Sequence, residues 1–173
     1  MIKNILITGK PGCGKSTLIL KLSDQFKNRR ISGIITPEIR RGNQRYGFKI
    51  VDLLSQKEGI MASVDIQSEK RVSKYYVDVQ VVDKIMNEFM GSYEQADIFM
   101  VDEIGKMELY SEKFKEVIQQ ILDSNKPVIA TIPLSKDPFI EKIKKRKDSK
   151  VFYLEKRDWE RVLSEIKTFF QSA

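Results

Sequence analysis

The chain has 173 residues, a formal charge of +7 and a pI near 9.4, a length that favours one domain over residues 1–173 and leaves no room for a second large one. The absence of histidine excludes a histidine general base and a histidine metal site, and a single cysteine, Cys13, excludes an intramolecular disulfide and suits a reducing, cytoplasmic compartment. No apolar run approaches the roughly 18 residues of a membrane span, and the opening run is too short for a signal peptide, so a soluble chain with no membrane partner is expected, with a monomer as the default.

The elements alternate in chain order. Ile2 to Ile7 is short, branched and apolar like a buried strand, and Thr17 to Phe26 carries apolar residues at helical spacing. Ile31 to Pro37 reads as a strand, Arg40 to Arg45 as a polar turn, and Tyr46 to Leu54 as the returning strand of a hairpin, with Gly59 to Val64 as a further strand beside it. Helical spacing recurs over Val79 to Phe89, Ser111 to Leu122, Asp137 to Lys145 and Arg157 to Phe170. Strands are expected at Ile98 to Val101, Pro127 to Ile132 and Val151 to Leu154. This alternation is the signature of an α/β fold with a mainly parallel sheet, helices on both faces and an added antiparallel hairpin.

Between the first strand and the first helix, residues 9 to 16 read GKPGCGKS and fill every fixed position of the GxxxxGK[ST] phosphate loop. Gly9, Gly12 and Gly14 let successive backbone amides wrap a β-phosphate, and the following helix adds the positive end of its dipole. Lys15 is expected on the β and γ oxygens and Ser16 on a Mg²⁺ ion. The flanking Lys10, Pro11, Cys13 and Thr17 complete the nucleotide-binding segment, with Cys13 filling a variable slot as a small residue.

The second constellation is IFMV followed by Asp102, Glu103, Ile104, Gly105 and Lys106. Apolar residues ending in an acid are what a Walker B strand requires, so Asp102 is the metal-side candidate. Glu103 is the candidate for orienting or deprotonating an attacking water. Lys106 is a candidate cation for the charge that builds in phosphoryl transfer, whereas Arg40, Arg41 and Arg45 read as solvated turn residues. Thr131 is compatible with sensing the γ-phosphate or with a buried hydroxyl bonded to backbone. Asn125 and Lys126 begin a guanine-reading NKxD, but Val128 stands where its Asp should be.

These segments carry a resemblance. ITGKPGCGKSTL, GIITPEIR with RYGFKIVDL, RVSKYYVDV, VDEIGKMEL and PVIATIPL together resemble the cancer-related nucleoside-triphosphatase family of small P-loop NTPases, in their additional-strand, catalytic-glutamate branch. The family pattern resembles RVGKY where this chain has Ser73. The resemblance implies a RecA-like P-loop fold and a Mg²⁺-dependent enzyme that hydrolyses several nucleoside triphosphates to diphosphate and phosphate. It implies Gly9 to Ser16 as the phosphate loop, Asp102 as the metal-side acid, Glu103 as the catalytic acid, and Ile104, Gly105 and Lys106 as a border of the nucleotide. Broad base acceptance also agrees with the lack of a base-reading motif.

Two other classes use the same parts. In a nucleotide or nucleoside kinase the hairpin arginines would hold an acceptor. In a nucleotide-switched module the basic run Lys142 to Lys147 would recruit RNA or protein, a nucleic-acid partner that the single Trp and the lack of an aromatic-studded basic stripe disfavour.

Overall fold

Asn4–Thr8 forms strand β1, five residues buried on both faces, as expected of the central strand of a parallel sheet. In the computed structural model, which describes residues 1–171, ten strands build one sheet. They are β1, Ile31–Ile35 (β2), Glu38–Arg41 (β3), Gln44–Asp52 (β4), Glu58–Ser63 (β5), Arg71–Val72 (β6), Tyr75–Val77 (β7), Ile98–Asp102 (β8), Val128–Thr131 (β9) and Ser149–Tyr153 (β10). The helices are Lys15–Gln25 (α1), Val79–Met90 (α2), Glu112–Asp123 (α3), Pro138–Lys144 (α4) and Trp159–Gln171 (α5).

The sheet runs β10-β1-β9-β8-β2-β4-β5-β7-β6, with β3 paired to β4 alone. The first five in this order are parallel, and the pairs from β2–β4 onward are antiparallel. β9 separates β1 from β8, the position of the additional strand that the resemblance implies. Strand ends on the carboxyl side of β1, β9 and β8 therefore share one edge, which is where open α/β sheets bind ligands.

Alternation along the strands divides the core into two layers. Leu6, Phe99, Val101, Val128 and Ala130 pack with Val82, Phe89, Phe114, Ile118 and Ile140 from α2, α3 and α4. Ile5, Ile7, Met100 and Ile129 pack on the other side with Leu18, Leu22, Val162 and Ile166 from α1 and α5. Phe89, Phe99 and Phe114 are among the largest fully buried side chains, and truncating such a ring to alanine typically costs about 3–5 kcal/mol.

The antiparallel wing is larger than the hairpin expected from the sequence. β3 and β4 form that hairpin around Gly42 and Asn43, β5 extends it as anticipated, and β6 and β7 add a second hairpin over residues 71–77. Strands this short leave no periodicity to read. Ser73, in the turn of that second hairpin, has φ 55°, so the backbone keeps the left-handed shape that a glycine would give without cost. Elsewhere the boundaries shift by about two residues: α1 starts at Lys15, β10 at Ser149 and α5 at Trp159.

Candidate active site

Residues 9–14 span the connection from β1 to α1. Gly12 and Gly14 have φ of 78° and 100°, left-handed values that let the chain turn sharply into the helix. Helices α2, α3 and α4 are each capped by a side chain, from Asp78, Ser111 and Asp137, whereas α1 has no side-chain cap. Its first-turn amides keep their partial positive charge for an anion. Ser16 and Thr17 are exposed on that turn, and Lys10, Pro11 and Gly12 are exposed in the loop. Cys13 is buried in the layer of α1 and α5, in keeping with a packing role.

Lys15 reaches from the helix start back across the loop. Its Nζ donates to the Gly9 carbonyl at 3.2 Å and lies 3.5 Å from Glu103 Oε2. Its side chain is 12% exposed, so the ammonium is sheltered from bulk solvent and interacts strongly with charge brought close to it. This ion pair joins two segments separated by the strand β9.

Asp102 closes β8 and Glu103 follows it across a cis peptide. Thr131 Oγ1, at the end of β9, donates to Asp102 Oδ1 at 2.6 Å. The buried hydroxyl thus bonds the carboxylate that ends the neighbouring strand and not the backbone. The Asp102 carbonyl accepts from the Thr36 amide at 2.8 Å and from its hydroxyl at 3.2 Å. Burial lifts the Glu103 carboxyl above the usual range; the Lys15 charge opposes this and the Asp102 charge adds to it.

The segment after Glu103 is divided in its placement. Ile104 is fully buried in the layer of α2 and α3, and its amide donates to Thr131 O at 3.0 Å, so its side chain belongs to the core. The Gly105 amide donates to Glu108 Oε2 at 2.6 Å. Lys106 is exposed and lines a cavity of about 560 Å³ with Arg71, Ser73, Tyr110 and Asp137. The structure thus places Lys106 on the side of the second hairpin.

A larger cavity, about 610 Å³, adjoins that loop. Residues 9–13 form one wall, and Leu134, Tyr153 and Lys156 stand opposite. Leu134 and Tyr153 are 53% and 58% exposed, which leaves an apolar edge and an aromatic face open beside the loop. The sequence offered no motif for this wall, because its residues come from the ends of β9 and β10.

The remaining candidates are committed elsewhere. Arg40 and Arg45 both bond Glu38, at 2.8 and 2.6 Å, and Arg41 stacks on Tyr46 with its guanidinium carbon 3.7 Å from the ring centroid. They behave as turn residues of the β3–β4 hairpin. Arg146, in the basic run, spans Asp123 and Asp148 at 2.8 Å each, tying α3 to the start of β10. Lys126 donates to the carbonyls of Tyr93 and Glu94 and precedes β9, so it lies at the opposite edge of the sheet from the loop.

Glu108 was not singled out by any sequence pattern. It is 4% exposed, and burial, with the Glu103 charge second, pushes its carboxyl up to about 8 against the pull of the Gly105 amide. A Cβ on Gly105 would stand 2.7 Å from both Glu103 Oε1 and Glu108 Oε2. Only a glycine lets these two carboxyl groups face each other there.

A profile of the NTPase family matches residues 4–167. The nucleoside-triphosphatase THEP1 of Thermotoga maritima is 48% identical over 163 residues, covering 94% of this chain and 92% of that protein. The THEP1 nucleoside-triphosphatase of Methanothermobacter thermautotrophicus is 40% identical over 159 residues, 89% of each chain. The crystal structure of THEP1 from the hyperthermophile Aquifex aeolicus superposes with a TM-score of 0.80 at 33% identity, covering 94% of this chain and 96% of that one. The solution structure of a human cancer-related nucleoside triphosphatase does so with a TM-score of 0.80 at 32% identity, covering 99% and 98%. With its sheet order, its strand-to-helix loop and these relatives in agreement, the chain belongs to the NTPase family.

Proposed function

We propose that this protein is a Mg²⁺-dependent nucleoside-triphosphatase that hydrolyses ATP, GTP and other nucleoside triphosphates to diphosphate and phosphate. The observation that carries the reading is the approach of Lys15 Nζ to Glu103 Oε2 at 3.5 Å. A cation suited to the γ-phosphate and an acid suited to the attacking water meet at the edge where the loop enters the uncapped helix α1. The names of the relatives, all nucleoside-triphosphatases, support the same chemistry.

In this reading the amides of Gly12 and Gly14 in the loop and of the first turn of α1 hold the β-phosphate, and Lys15 leaves Glu103 for the β and γ oxygens. Glu103, released from that pair, orients the water and takes its proton as the oxygen attacks the γ-phosphorus, and the bond from that phosphorus to the bridging oxygen breaks, so the nucleoside diphosphate leaves with the electron pair. Its partly buried setting, which raises its basicity, suits that task.

The donor set fits a Mg²⁺ ion. Asp102 offers a carboxylate and Ser16 a hydroxyl, leaving places for phosphate oxygens and water, and a small hard cation that dehydrates reluctantly is held in this way. When bound, the ion supplies charge neutralisation at the phosphate oxygens. Thr131 fixes the Asp102 carboxylate for it.

The cavity beside the loop is large enough for a nucleoside, and its exposed Leu134 and the ring of Tyr153 offer apolar and stacking contact that any base can use. Tolerance of several bases follows. The test is phosphate release from ATP, GTP, CTP and UTP with Mg²⁺ and no acceptor, in wild type and Glu103→Gln. Release from all four is expected, with Glu103→Gln binding nucleotide but slowed by roughly 10²–10⁴. Phosphate transfer only on addition of a nucleoside or monophosphate would refute the hydrolase reading, and normal turnover in Glu103→Gln would remove Glu103 from it.

A further inference from the structure

Glu108 is a fully buried carboxyl group that the mechanism above does not use, and its surroundings give it a defined task. It begins the short helical turn Glu108–Tyr110, and its Oε2 accepts the Gly105 amide at 2.6 Å. The Leu109 amide closes the same loop by donating to the Gly105 carbonyl at 3.0 Å, and the Ile104 amide donates to Thr131 O at 3.0 Å. The backbone directly after Glu103 is therefore pinned at successive residues. From the other side, Glu103 Oε1 and Glu108 Oε2 each stand 2.7 Å from the point where a Gly105 Cβ would be, so the two carboxyl groups converge on the side-chain-free face of Gly105.

We propose that Glu108 is a positioning residue for Glu103: a buried carboxyl that clamps the Gly105 amide and, as a rigid wall, keeps the Glu103 carboxylate turned toward Lys15 and the attacking water. This rests on Glu103 being the group that handles the water. Neutrality matters to the wall because an ionised carboxylate in that place would repel Glu103. Burial keeps Glu108 protonated up to about pH 8, which supports the arrangement. A glutamine keeps an uncharged carbonyl oxygen in the place of Oε2, both for the Gly105 amide and on the side of Glu103, whereas an alanine keeps nothing there. Gly105→Ala perturbs the same pair from the opposite direction. Its Cβ meets both carboxyl groups, and the one free to yield is Glu103, 34% exposed, and not the enclosed Glu108.

The experiment measures kcat, KM, binding of a fluorescent ATP analogue and thermal melting for Glu108→Ala, Glu108→Gln, Gly105→Ala and Glu103→Gln. A misplacement of a catalytic group by about 1 Å costs on the order of 10²-fold, so Glu108→Ala and Gly105→Ala should lose roughly 10–100-fold in kcat with nucleotide affinity held within about threefold. Glu108→Gln should recover most of the turnover lost in Glu108→Ala. The proposal is overturned if Glu108→Ala turns over normally, if its nucleotide binding falls as far as its kcat, or if Glu108→Gln is as slow as Glu108→Ala. Should Glu108→Ala not fold, Gly105→Ala decides, and wild-type turnover there also overturns the proposal. Glu103→Gln separates the two claims. A slow Glu103→Gln beside a fast Gly105→Ala removes the role of Glu108 alone, and a fast Glu103→Gln removes the Glu103 reading beneath it.

Discussion

Replacing Glu108 with glutamine is expected to stabilise the protein, and to do so only above acidic pH. In the folded chain burial raises the carboxyl from 4.5 to about 8, so the folded state holds a proton that the unfolded chain has already released. A raised carboxyl pKa contributes stability that is full below about pH 4.5 and is lost as pH rises through about 8. At pH 7 wild type has therefore given up ~3 kcal/mol relative to a permanently neutral side chain, at about 1.4 kcal/mol per pH unit. Glu108→Gln carries no such loss, and its side-chain carbonyl can still accept the Gly105 amide. Urea unfolding at pH 4.5, 6, 7 and 8 should show the variant matching wild type at the lowest pH and exceeding it by ~3 kcal/mol at pH 7. A difference that does not change with pH, or a variant less stable than wild type at pH 8, would refute the picture of a buried neutral carboxyl.

The other sites give sharper, smaller tests. Lys15→Ala should abolish turnover and weaken triphosphate binding, read by titration with a non-hydrolysable ATP analogue; normal activity would contradict the phosphate-loop assignment. Thr131→Val removes the hydroxyl that donates to Asp102 at 2.6 Å and should raise the Mg²⁺ concentration needed for half-maximal activity by roughly 10–100-fold, while unchanged Mg²⁺ dependence would dismiss that role. Ser73→Gly relieves a left-handed backbone at φ 55° costing about 1–2 kcal/mol, offset in part by the greater freedom of an unfolded glycine. A net gain of up to ~1 kcal/mol in thermal melting is expected, with turnover unchanged, and a lowered melting temperature would show that the strain is not there.

The candidate phosphate loop and acid pair are legible in the sequence because their spacing is local. GKPGCGKS fixes a strand-loop-helix connection within eight residues, and IFMVDE announces a strand whose acids emerge at its end. The alternation of short apolar runs with amphipathic helices likewise determines an α/β layer, since each run must bury both faces and each helix one. Residues 71–77 were not legible as a hairpin: strands of two and three residues are too short for a periodicity, and their pairing is set by the neighbouring β5.

What only the tertiary structure decided is which side chains meet. Lys106, three positions from Glu103, faces the second hairpin, while Lys15, far away in sequence, pairs with Glu103. Thr131 found Asp102 because β9 lies beside β8. Glu108 drew no notice in the sequence, as a glutamate in a charged stretch ordinarily faces water. Its burial depends on the turn at Gly105, where the absence of a side chain lets two carboxyl groups approach. A local pattern can specify backbone shape and the type of chemistry. The contacts that set the electrostatics come from strands brought together by the packing of two hydrophobic layers, and no spacing along the chain encodes those distances.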